Sequence, residues 1–173
     1  GVTPGKGGQV RFGLPVFDSC HGAVAAAGAD CSFNLVPAPF VLDSVFEAID
    51  AGIRLVTVYS DSVPLGDAMR IAHHARARGV VVLGPNAAGA FSPGGANLSD
   101  FNDRYIRPGR IGVVTKSGAI THEVAEFIHG LGMGISTAVA LGGDGVTATG
   151  PDDILARFEA DPGTDLVVLI GEI

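Results

Sequence analysis

The feature that most constrains this chain is a segment such as residues 53–59, Ile-Arg-Leu-Val-Thr-Val-Tyr, which is β-rich and apolar on both faces. A strand of that kind must be buried in a sheet covered by helices on each side. Helical patterns supply the cover. Ser44 with Glu47 matches a capping box and predicts a helix from there to Gly52, and a second helix is expected over residues 65–78, ending at Gly79. Apolar runs at 31–36, before Pro37-Ala38-Pro39, and at 80–83, before Gly84-Pro85-Asn86, complete a first set of strands. A second set begins after residues 87–108, a stretch rich in Gly, Asn, Ser and Asp without periodicity, read as the boundary between two units. It comprises strand 110–115, a helix starting near Ser117-Gly118, strand 136–141, helix 152–160 and strand 165–170. The expectation is an α/β protein with two doubly wound parallel sheets joined near residue 104 by right-handed crossovers.

Composition removes several classes of function. The net charge is −7, lysine occurs only at 6 and 116, and the arginines are scattered, so no basic stripe offers itself to nucleic acid. No apolar run approaches the roughly 18–20 residues of a membrane helix, and no secretion signal opens the chain, which suggests a cytoplasmic-type protein. Cys20 and Cys31 lack the spacing of metal ligands and read as reduced thiols. The chain opens on Gly1 and stops just after a strand, so it reads as a fragment.

Ligands of doubly wound sheets bind beyond the carboxyl ends of the strands, so the loops there are the candidates. Residues 1–8, Gly-Val-Thr-Pro-Gly-Lys-Gly-Gly, place Lys6 among glycines whose amides can approach phosphate. The spacing is not that of a Walker loop, and no GxGxxG exists to support a nicotinamide dehydrogenase. Ser117-Gly118 lies at a strand-to-helix turn, where free amides and the positive helix end form an anion site, although Ser117 also serves as an ordinary N-cap. His122 falls in the first turns of that helix, and Glu172 emerges where an apolar strand ends.

Seven pieces in register, residues 1–8, 35–40, 47–55, 84–86, 117–123, 141–144 and 171–173, make the chain resemble the alpha subunit of succinyl-CoA synthetase over its whole length. The resemblance implies a Rossmann-like CoA-binding domain at 1–103 lacking its first strand, then the first part of a flavodoxin-like ligase domain at 104–173. It implies that acyl-CoA and phosphate give an acyl phosphate, that a histidine takes the phosphoryl group, and that a nucleoside diphosphate receives it. CoA and a small dicarboxylate would bind here, and Mg2+ with ATP or GTP would bind through a beta subunit. By similarity Lys6, Tyr59, Ser60, Asp61 and Asn86 contact CoA, Ser117 and Gly118 cradle phosphate, His122 borders the acid, and Glu172 orients the phosphohistidine. That histidine is expected beyond Ile173, since none of the five present fills its position. A cytoplasmic location follows, or the mitochondrial matrix in a eukaryote. Three departures bear on the acid pocket and CoA loop: Asn86-Ala87-Ala88-Gly89 for the family's Asn-Cys-Pro-Gly, Ser60-Asp61-Ser62 for Thr-Glu-Gly, and His122 for a tyrosine. They leave open a related dicarboxylate ligase or a CoA-binding module without catalysis.

Overall fold

The computed structural model describes residues 1–171. The chain opens with a two-residue hairpin, β1 (Val10–Arg11) against β2 (Leu14–Pro15), followed by helix α1 (Cys20–Ala27). Strand β3 (Cys31–Asn34), helix α2 (Val41–Asp50), strand β4 (Leu55–Val58), helix α3 (Leu65–Arg78) and strand β5 (Val81–Leu83) then form a parallel sheet of order β3-β4-β5. Helix α2 turns Val41, Leu42, Val45, Ala48 and Ile49 inward, the 3.6-residue pattern of a helix with one buried face. These side chains meet Val56, Val58, Ile71 and Val82 in one core. Each such aliphatic contributes about 1.5–3 kcal/mol by leaving water, before the entropy of ordering it. Helix α3 stops where Gly79 adopts the left-handed conformation at φ 65°.

A hairpin of β6 (Gly89–Phe91) and β7 (Asn97–Ser99) leads into β8 (Pro108–Thr115), helix α4 (Gly118–Gly130), β9 (Ile135–Ala140), helix α5 (Pro151–Glu159) and β10 (Leu166–Ile170). The second sheet has the order β10-β8-β9-β6-β7. Strands β10, β8 and β9 are parallel, whereas β6 runs antiparallel to both β9 and β7. Consecutive residues of β8 face different layers: Val113 packs with Ala125 and Ile128 of α4, and Val114 with Ile154 and Phe158 of α5. The sheet is therefore covered on both sides.

Two sequence expectations need correction, and one helix was not expected. Residues 87–108 are not irregular throughout, because they hold the β6–β7 hairpin, whose hydrogen bonds go to β9 in the second sheet. The first long helix begins at Val41, after a 3-10 turn over Ala38–Phe40, so Ser44 and Glu47 form no capping box. Ser44 Oγ instead accepts from Asn34 Nδ2 at 2.8 Å, and Glu47 Oε1 accepts from the Cys20 amide at 2.8 Å. Helix α1 has no counterpart in the sequence reading. Its N-cap Ser19 accepts from the Gly22 amide at 3.1 Å and Gly28 closes it in the left-handed conformation.

Candidate functional site

Because β3, β4 and β5 are parallel, their carboxyl ends lie side by side, and backbone groups lace the loops that follow. The Tyr59 amide donates to Asn34 O at 3.1 Å, the Ser60 hydroxyl to Val36 O, the Asn86 amide to Ser60 O at 2.9 Å, and the Ala87 amide to Val58 O at 3.0 Å. Tyr59, Ser60 and Asn86 are thus brought together. Tyr59 is exposed, and its phenol is pushed above the usual tyrosine range by the negative charge of Asp100 and by a hydrogen bond to that carboxylate. Asp100, at the end of the β6–β7 hairpin, is a site neighbour that sequence reasoning missed. Asn86 is exposed at φ 58°, a conformation asparagine tolerates better than most side chains.

The second sheet delivers its loops to the same place. The Gly143 amide donates to Asn86 O at 3.2 Å, the Gly84 amide to Leu141 O at 2.9 Å, and the Leu141 amide to Thr115 O at 2.8 Å. Gly142 has φ 112°, and a Cβ there would sit 3.0 Å from Gly84 Cα, so the turn after β9 seats on the Gly84-Pro85-Asn86 turn only as glycine. Residues 141–144, one of the seven pieces that carry the resemblance, form this junction. On the other side a Cβ on Gly118 would lie 2.8 Å from Ala88 Cβ, which sets how closely the start of α4 approaches the same turn.

Ser117 caps α4, its hydroxyl facing the Ile120 amide at 3.5 Å. Beneath it the hydroxyls of Thr115 and Thr121, both fully buried, lie 2.7 Å from each other and 2.7 and 2.9 Å from Ser117 O. Of the first amides of α4, those of Ile120 and Thr121 donate to Ser117, and those of Gly118 and Ala119 make no hydrogen bond among the described residues. His122 is half-buried and meets the ring of buried Phe101 edge to face at a centroid distance of 5.2 Å.

Other residues proposed from sequence take no part in these bonds. Asp61 follows Ser60 on an exposed loop, and its carboxylate makes no hydrogen bond among the described residues. Lys6 is exposed in the segment that binds back to residues 15–18, through Thr3 N–H to Phe17 O at 2.9 Å, Gly8 N–H to Val16 O at 3.0 Å and Gly7 N–H to Asp18 Oδ1 at 2.7 Å. Glu172 lies outside the described residues. Both cysteines are free, and burial before all else raises their thiol pKa values, so neither is an activated nucleophile. Two clefts, of about 390 Å³ beside Phe46, Met69 and His73 and about 620 Å³ between Val80 and Arg157, lie away from these loops. The candidate site is an open surface that suits an extended ligand lying across several loops. Among the described residues no helix is long and apolar enough to cross a membrane.

Residues 1–61, which take in β3, β4 and the loop as far as Asp61, match the family described as CoA binding domain. Over its whole length the chain is 43% identical to malate–CoA ligase subunit alpha of Methylorubrum extorquens and 41% identical to succinate–CoA ligase [ADP-forming] subunit alpha 2 of Archaeoglobus fulgidus, and it spans 60% of the length of each. ATP citrate lyase from Methanothrix soehngenii, solved in complex with citrate and coenzyme A, superposes with a TM-score of 0.86 at 28% identity over 92% of this chain and 28% of that one. Over its whole length this chain is related to the alpha subunits of acid–CoA ligases, of which it spans about three fifths.

Proposed function

We propose that the complete protein joins a small carboxylic acid to CoA, and that this chain supplies the CoA-binding surface and the start of the phosphate site. The observation that carries the reading is the convergence of the Asn86 turn, the Gly142-Gly143 turn and the start of α4 in a chain related throughout to acid–CoA ligase subunits. Residues 1–103, apart from the β6–β7 hairpin that pairs with the second sheet, are the CoA-binding unit and residues 104–173 the beginning of the ligase unit. Lys6, Tyr59, Ser60, Asp61 and Asn86 contact CoA. Ser117 and Gly118 present amides to phosphate, where the positive helix end favours an anion without moving any group. The buried hydroxyls of Thr115 and Thr121 hold Ser117 O and keep that turn in shape.

His122 borders the acid. The relatives' names include malate and succinate, so a small dicarboxylate is the substrate class to try first. Glu172 orients a phosphohistidine carried elsewhere in the complete protein, and ATP or GTP with Mg2+ is handled by a beta subunit. The test is calorimetry of CoA against this chain, followed by acyl-CoA formation from malate and from succinate by the complete protein with a beta subunit. CoA binding with product formation supports the proposal. CoA binding without turnover of either acid would leave a non-catalytic CoA module, and absence of CoA binding refutes the reading at its base.

A further inference from the structure

The hairpin β1–β2 is built against its own local interests. Its two-residue turn is Phe12-Gly13, with φ 52° and 77°, the geometry for which Asn-Gly or Gly-Gly is usual. A phenylalanine in the left-handed region is sterically unfavourable, and here its ring is wholly in solvent, at 104% relative exposure. No packing within the described residues offsets that. Beside it Arg11 is exposed and makes no ion pair among the described residues; Gln9 Oε1 accepts from its Nη2 at 3.1 Å and braces the side chain. The Gln9 amide in turn donates to Lys6 O at 3.3 Å, so the Lys6 turn and the hairpin are one folded unit. From Gly1 to Phe17 the segment carries Lys6 and Arg11 and no carboxylate, in a chain of net charge −7. It lies within the residues matched as a CoA binding domain.

Resting on the CoA-binding reading above, we infer that the hairpin grips the adenosine end of CoA, with Arg11 on the 3′-phosphate and Phe12 against the adenine. CoA carries an aromatic base and a phosphate monoester on the same nucleoside, and a pyrophosphate further along. An arginine next to an exposed aromatic matches the first pair of groups: the guanidinium fork suits a terminal phosphate, and a flat ring stacks on a base. The Gly-rich turn around Lys6, whose amides allow close approach, suits the pyrophosphate. The strain at Phe12 is then explained, because the ring's favourable contacts are made only with ligand bound.

The experiment compares CoA with 3′-dephospho-CoA by calorimetry on this chain. Arg11→Met weakens CoA by about tenfold, the scale of one charge-assisted phosphate contact, and leaves 3′-dephospho-CoA nearly unchanged. Phe12→Asn, which suits the turn better, holds or raises the melting temperature and still weakens both ligands several-fold. Wild-type affinity retained in both variants overturns the inference while leaving the CoA-binding reading intact, and equal losses for the two ligands in Arg11→Met overturn the 3′-phosphate assignment. A wild-type chain that binds neither ligand brings down both the inference and the reading beneath it.

Discussion

Adding one methyl group at Gly118 tests whether the start of α4 and the Gly84–Gly89 segment are gauged against each other. The new carbon of Gly118→Ala would lie 2.8 Å from Ala88 Cβ, against about 3.5–4.0 Å for carbons in comfortable contact, so the segments must part by roughly an ångström. Ala88 cannot yield cheaply: it is buried and its carbonyl accepts from the Asp100 amide at 3.1 Å. Alanine is the better helix former by up to about 1 kcal/mol, but overpacking costs about 1–3, so a net loss of about 1–2 kcal/mol is expected. Ala88→Gly alone also destabilises by about 1–2 kcal/mol, through a lost buried methyl and a more flexible unfolded chain. Combined, the two changes relieve the clash, and the double variant should be more stable than the sum of the singles by about 1 kcal/mol or more. Urea denaturation of the four proteins measures this cycle. Additivity within about 0.5 kcal/mol would refute the claim that these two positions set the approach of the loops.

Lys6→Met should weaken CoA binding about tenfold in calorimetry, and unchanged affinity would remove Lys6 from the site. In the complete enzyme, His122→Tyr should weaken dicarboxylate binding several-fold while sparing CoA binding, and unchanged affinity for the acid would return His122 to a structural role. Asp165 is held below the usual carboxylate range by its hydrogen bond from Arg110, so the pair's contribution is present above the unfolded carboxylate value of about 4 and is lost as pH falls through the lower folded value. Asp165→Asn should therefore lessen the acid-side loss of urea stability, by a small amount because both side chains are more than half exposed.

What was legible in the sequence is what local chemistry alone decides. Helix α3 was bounded correctly because Pro64, Gly79 and its apolar spacing agree, and Ser117 was readable as the cap of α4. Helix α1, Cys-His-Gly-Ala-Val-Ala-Ala-Ala, buries only Ala23 and shows no apolar stripe; Ser19 and Gly28 were its available signals. The strands of the β6–β7 hairpin are three residues each, too short for alternation to register. Ser44 and Glu47 misled because residues distant in sequence, Asn34 and Cys20, use the polar atoms a capping box would need. In the candidate site, Tyr59, Ser60 and Asn86 were named through the family resemblance, whereas Asp100 and the Gly142-Gly143 turn reach them through tertiary contacts. The open surface they form follows from backbone groups, which carry no residue-type signature.

Strand β5 ends its sheet in name only. Its Val82 amide donates to buried Thr149 Oγ1 at 3.0 Å, and around Gly84 the loop after β9 supplies the remaining bonds, through Leu141 O and the Ala148 amide. Ala148 also sits in the first sheet's core. The border of the amino-terminal sheet is thus finished by residues some sixty positions downstream. Cutting the chain near residue 103 would not release two self-sufficient parts: the first would carry a bare strand edge prone to pairing with its own kind, and the second a loop with nothing to close against.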